Sequence, residues 1–97
     1  MLTSQAEVTT ERPQRYLSQL CKHFAHKVDS EHDEVTGRVE FDVGTCELRA
    51  EGWTLLLRAR AADREGVDRV KQVIGTHLER FGTRDELEVH WTDVEGS

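Results

Sequence analysis

The chain begins with two segments whose apolar positions recur with different periods. Between Ser4 and Thr9, Ala6 and Val8 alternate with polar residues, which predicts a short strand with one buried face. Pro13 then stands where proline fits in the first turn of a helix. From that point the apolar residues recur at helical spacing and form one stripe, made of Leu17, Leu20, Cys21, Phe24 and Val28. The pattern predicts a strand followed by a helix that continues to Val28.

The middle of the chain has the alternation of successive strands. A short polar strand is predicted over Ser30–Glu34. Tight turns are predicted at Thr36-Gly37, Gly44-Thr45 and Glu51-Gly52. Between and after these turns, apolar residues occupy every second position: Val39, Phe41 and Val43; then Cys46, Leu48 and Ala50; then Trp53, Leu55, Leu57, Ala59 and Ala61. Strands joined by such short turns indicate an antiparallel meander.

A second helix and a last strand complete the pattern. Asp63 is the predicted N-cap and Gly82 the predicted C-cap of a helix with one apolar stripe, formed by Val67, Val70, Ile74, His77, Leu78 and Phe81. Leu87, Val89 and Trp91 then alternate as a strand, and residues 93–97 are expected to be a loose tail. The order β-α-β-β-β-β-α-β predicts a single α+β domain over residues 1–97. Its antiparallel sheet would carry both helices on one face and leave the other face charged and open.

Composition limits the classes of partner. The chain has 97 residues and a net charge of −6, which argues against general nucleic-acid binding and against docking on anionic membranes. No apolar run reaches the roughly 20 residues of a membrane span, and the N-terminal segment lacks the basic and apolar parts of a signal peptide. We therefore expect a cytoplasmic location, where the two cysteines are reduced thiols.

Candidate chemistry is concentrated on the first helix, which carries Cys21, His23 and His26 within the stretch Leu20–Val28. Helical geometry points Cys21 into the core and His26 nearly the opposite way, so these two cannot share a metal ion. His23 and His26 are spaced i, i+3 and can form a two-imidazole metal or ligand site, with Lys27 beside it and His77 approaching from the second helix. The alternative is two solvated histidines at a basic helix end.

A second constellation lies on the inward face. Cys21, Cys46 and His77 all occupy apolar-phase positions, and together they could form a metal or redox centre. The alternative is two buried thiols that pack as small hydrophobic groups beside one core histidine. The sequence has no CxxC pair, the usual signature of a zinc site.

Other motifs point away from catalysis. No serine stands in a strand-turn-helix elbow, and no glycine-rich loop has phosphate-binding spacing. On the predicted open face, carboxylates interleave with arginines, which is typical of cross-strand ion pairs on a solvated surface. An anion site lined by Arg49 and Arg58 is the alternative for that face.

Four segments carry a resemblance to a known family. They are Arg12-Pro13 with Arg15-Tyr16-Leu17, Leu20 through Lys27, Gly44 through Leu48, and His77 through Phe81. In these, the chain resembles an uncharacterised bacterial family, domain of unknown function 2218. The resemblance implies an iron-linked context beside siderophore-interacting flavoreductases, with no established activity. The order of elements also looks like the TATA-binding-protein-like α+β fold, which says little about function.

These observations favour a small binding or accessory domain in iron or siderophore handling, with a flavoreductase or a ferric chelate as partner and no specified cofactor. One alternative is a small metal- or thiol-dependent enzyme that uses Cys21, Cys46 and the histidines. Another is a plain interaction domain that pairs with a flavoreductase or with itself.

Overall fold

A computed structural model describes residues 1–94 and has the predicted order of elements. The strands are β1 (Leu2–Thr9), β2 (Asp29–His32), β3 (Thr36–Phe41), β4 (Gly44–Glu51), β5 (Thr54–Ala61) and β6 (Trp91–Val94). The helices are α1 (Pro13–Phe24) and α2 (Arg64–Phe81), and a short 3-10 turn covers Thr83–Asp85. No helix in this part of the chain is long and apolar enough to cross a membrane.

The strands form one antiparallel sheet in the order β2-β3-β4-β5-β1-β6. The predicted meander is β2 to β5, and β1 is inserted between β5 and β6. Helix α1 packs on β2 to β5 and helix α2 on β1, β4 and β5, with the two helices side by side on the same face. The α+β architecture with one open sheet face is therefore confirmed.

Most of the predicted core is buried between the sheet and the helices, including Leu17, Cys21, Leu57 and Ile74. Of the residues expected there, Phe41, Phe81 and Val89 are only partly buried because they lie at the margins of the two layers. The strand alternation predicts burial correctly along β4 and β5, where every inward residue from Cys46 to Ala50 and from Leu55 to Ala61 is buried.

The end of α1 differs from the prediction. The helix stops at Phe24, and the Phe24 carbonyl accepts hydrogen bonds from the amides of both Lys27 and Val28 at 2.9 Å, which closes a tight turn. Ser30 Oγ donates a second hydrogen bond, at 2.9 Å, to the Cys21 carbonyl, which also accepts from the amide of Ala25 at 3.0 Å. His26 therefore lies beyond the helix.

The turns between strands are also displaced. Asp33 Oδ1 accepts hydrogen bonds from the amides of Val35 and Thr36, at 2.9 and 2.8 Å, so the first turn precedes Thr36 and Gly37 belongs to β3. The second turn is at Asp42-Val43 instead of Gly44-Thr45, which leaves Val43 exposed. Side-chain capping and sheet register, neither visible in the alternation, decide both positions.

The β4–β5 turn and the last strand also differ from the prediction. Gly52 adopts a φ of +59° in the predicted turn, but Trp53 belongs to the turn and is 65% exposed rather than inward. The last strand begins only at Trp91, because the residues before it lie against the end of α2. Asp93, expected in the tail, pairs with β1 and forms ion pairs with Arg64 at 3.0 Å and Lys71 at 3.6 Å. The rest of the expected tail, residues 95–97, lies outside the described residues.

Candidate binding site between the two helices

His23 is in the last turn of α1, on the side that faces α2. Its neighbour Phe24 is buried in the core, so the His23 ring lies at the margin of the packed layer and is partly exposed. The amphipathic stripe of α1 predicts this position, because His23 follows Leu20 at a spacing of three residues.

His77 is held on α2 by the helix itself. Its Nδ1 atom lies 2.7 Å from the Val73 carbonyl oxygen, one turn earlier. A carbonyl can only accept, so Nδ1 carries the proton and donates it, and Nε2 of the neutral ring has a free lone pair. A histidine that ligates a metal typically makes this kind of hydrogen bond through its other nitrogen.

The two imidazoles lie against each other in an aromatic cluster. The ring centroids of His23 and His77 are 4.9 Å apart and the ring planes are tilted by 44°. Phe24 is 5.0 Å from each of the two imidazoles, and Phe81 is 5.5 Å from His23 and 6.2 Å from His77. The side-by-side helices thus bring together two residues 54 positions apart in the sequence.

The surroundings favour the neutral form of His23. Burial lowers the pKa of His23, and the charges of His77, Lys27 and His26 lower it further. A neutral imidazole has a lone pair that can bind a metal ion or accept a hydrogen bond at neutral pH.

The distance between the two ring centroids is close to that of two imidazoles bound to one metal ion, and it is also an ordinary distance for packed aromatic rings. With metal–nitrogen bonds of about 2.0–2.1 Å, each ring centroid lies about 3.2 Å from the metal, and two such rings at tetrahedral angles are about 5 Å apart. The observed 4.9 Å is close to that value. Water or a chelating ligand would have to complete such a site, because no group of three His, Cys, Asp or Glu side chains among residues 1–94 is arranged to hold a metal.

The other two predicted ligand residues, His26 and Lys27, lie in the turn that follows α1. His26 and Lys27 line a separate shallow groove of about 560 Å³, together with the carboxylates of Asp29, Glu40 and Asp42. The expected i, i+3 pairing of His23 with His26 on one helix does not occur, because α1 ends at Phe24. The imidazole that lies against His23 is that of His77, from the second helix.

The two cysteines are free thiols buried under the helices, as predicted. Both are fully buried, and burial raises the pKa of each thiol above its ordinary value. Protonated thiols are poor metal ligands and poor nucleophiles. In the described part of the chain, Cys21, Cys46 and His77 do not form the three-ligand centre considered from the sequence.

The chain is similar to a known protein family and to a solved structure. A family model described as "Uncharacterized protein conserved in bacteria (DUF2218)" matches residues 5–92. The solved NMR structure of PA4090 from Pseudomonas aeruginosa is similar, with 32% sequence identity and a TM-score of 0.81 over 95% of this chain and 96% of that one. A search of the curated proteins gives no match.

Proposed function

The chain belongs to the uncharacterised bacterial family DUF2218, and from that premise we propose that it is a binding domain that holds a transition-metal ion between its two helices. His23 and His77 are the proposed protein ligands, and the proposed context is iron or siderophore handling in the cytoplasm. The observation that carries the proposal is the imidazole pair at 4.9 Å. The Val73 carbonyl supports it by orienting the His77 ring.

The choice of metal rests on two separate arguments. Imidazole nitrogens suit zinc, copper, nickel and ferrous iron alike, so the pair selects a class of metal. Iron enters from the context that the family resemblance implies, with a ferric chelate or a siderophore-interacting flavoreductase as the partner. Lys27 adds positive charge near His23, which favours an anionic chelate.

A binding role is favoured over the enzymatic alternative by the state of the thiols. An enzyme that used Cys21 or Cys46 would need an accessible thiolate, whereas both side chains are fully buried and have raised pKa values.

The test is metal binding by the full chain and matched histidine variants. We expect one equivalent of Zn²⁺, and of Fe²⁺ without oxygen, to bind and to shift the imidazole NMR signals of His23 and His77. His23→Ala and His77→Ala should each weaken binding by at least about tenfold, which is the loss of one good ligand. His90→Ala, at an exposed histidine near Glu88, is the matched control and should bind normally. Unchanged affinity in both His23→Ala and His77→Ala would refute the site.

Native mass spectrometry tests the iron context. The unprocessed protein is compared before and after addition of Fe²⁺, an anionic ferric tris-catecholate and a cationic ferric trihydroxamate. An adduct with iron or with the anionic chelate supports the proposed context. Binding of zinc with no adduct from any iron species would keep the metal site and refute its role in iron handling.

A further inference from the structure

The sheet face opposite the helices has a hollow of its own. It has a volume of about 540 Å³ and extends over the three central strands, β1, β5 and β4, with Thr36 and Gly37 of β3 at one side. Alternate side chains of the central strands line it: Gln5 and Glu7 of β1, Leu56 and Arg58 of β5, and Glu47, Arg49 and Glu51 of β4. The register places Arg58 between Gln5 and Glu47, and Leu56 between Glu7 and Arg49.

Several charges at the hollow already have partners within the protein. Glu47 lies 3.6 Å from Arg60, although Arg58 is its direct cross-strand neighbour. Arg49 lies 4.0 Å from Glu51 at the end of the hollow near the β4–β5 turn. These ion pairs neutralise two carboxylates and two guanidinium groups.

One cation and one anion remain. Among residues 1–94, neither Arg58 nor Glu7 has an ion pair or a side-chain hydrogen bond. They occupy diagonal positions on the neighbouring strands β5 and β1, where Cβ atoms are about 7–8 Å apart. Leu56, an apolar residue that is only half-buried, is directly opposite Glu7 and two positions before Arg58 on β5.

We propose that this hollow binds a small zwitterion with an apolar substituent, of the class of the apolar α-amino acids. The ligand carboxylate would pair with Arg58, its ammonium group with Glu7, and its apolar side chain would cover Leu56. The charge balance favours this class over a simple anion, because the carboxylate of Glu7, which has no ion pair among the described residues, stands near Arg58 and would repel a ligand with net negative charge. The site is distinct from the imidazole pair, which lies on the helical face.

The experiment compares three ligands that share the leucine side chain and differ in which end of the amino-acid backbone is charged. Amide chemical shifts of the full chain are followed during titration with L-leucine, N-acetyl-L-leucine and L-leucine amide. We expect L-leucine to shift the amides of Gln5, Glu7, Leu56 and Arg58, and the two singly charged analogues to bind at least about tenfold more weakly because each loses one charged contact.

Matched variants locate the contacts. Arg58→Gln and Glu7→Gln should each weaken L-leucine binding by about tenfold. Arg38→Gln, on the same face outside the hollow, is the control and should leave the affinity unchanged. Equal binding of N-acetyl-L-leucine would replace the zwitterion site with an anion site and overturn the proposal. Absence of shifts at millimolar L-leucine, or shifts confined to the helical face, would also overturn it.

Discussion

The hydroxyl of Tyr16 donates a hydrogen bond of 2.6 Å to Asp85 Oδ2, which joins α1 to the turn after α2. Tyr16 is buried on α1, and burial together with the Asp85 carboxylate raises its pKa. The bond therefore connects α1 to the 3-10 turn at Thr83–Asp85, across 69 residues of sequence.

Loss of this bond should destabilise the protein measurably. Tyr16→Phe should lower the free energy of unfolding by about 1–3 kcal/mol, since the bond has a charged acceptor and its donor is buried. Chemical denaturation of the wild type and the variant measures the difference. Ser18→Ala, which removes a longer 3.4 Å contact with His32 on the exposed side of α1, is the control and should change stability by less than about 0.5 kcal/mol. Equal effects of the two substitutions would show that the Tyr16 bond has no special role.

The centre of the sheet should be sensitive to truncation. Leu57 is on β5 and is 1% exposed beneath the two helices. Leu57→Ala should lower the free energy of unfolding by about 2–5 kcal/mol, because it leaves a cavity in a packed core. Leu56→Ala, one residue away on the open face, is the matched control and should cost much less. The prediction fails if denaturation midpoints of the two variants coincide.

The stability of the protein should decrease as the pH falls below neutrality. The pKa of His23 is lowered in the folded state, so between that value and about 6.5 the unfolded chain binds more protons. The free energy of unfolding therefore rises with pH across this window and is reduced below it. Denaturation curves at several pH values give the free energy of unfolding as a function of pH. This free energy should rise less steeply with pH in His23→Asn than in the wild type, while His90→Asn should keep the wild-type dependence. A slope unchanged in His23→Asn would assign it to another group.

Both thiols should react slowly in the folded protein. Cys21 and Cys46 are fully buried and their pKa values are raised, so little thiolate is present and reagents have no access. A chromogenic disulfide reagent should modify them only after denaturant is added. Rapid labelling of either thiol under native conditions would contradict the buried geometry.

The open sheet face should not bind DNA. Glu7, Glu40 and Glu47 stand among its arginines and would repel phosphates, and the chain has a net charge of −6. We expect no change in the fluorescence anisotropy of a labelled duplex at micromolar protein and low salt. Salt-sensitive binding in that range would refute this expectation.

The fold could be predicted because its signals are local. Pro13 and Asp63 mark the starts of the two helices, and the Asp63 side chain accepts a 2.7 Å hydrogen bond from the amide of Gly66 as an N-cap should. The alternation along β1, β4 and β5 identifies the buried face of each strand, since a strand half-buried in a sheet must present apolar residues at every second position.

The candidate site could be predicted only in part. The sequence pointed to His23 and to an approach of His77, because both lie on the apolar side of their helices. It also assigned His26 to the same site, which required α1 to continue. The helix instead ends where Ser30, in the next strand, bonds to the Cys21 carbonyl.

Local periodicity therefore established the number, order and buried faces of the elements, because each depends on residues a few positions apart. The end of α1, the exposure of Trp53 and the contact between His23 and His77 depend on strands and helices distant in sequence. The same holds for Arg58, whose cross-strand neighbour Glu47 pairs with Arg60 instead. These features depend on tertiary packing, which brings into contact side chains that are far apart in the sequence.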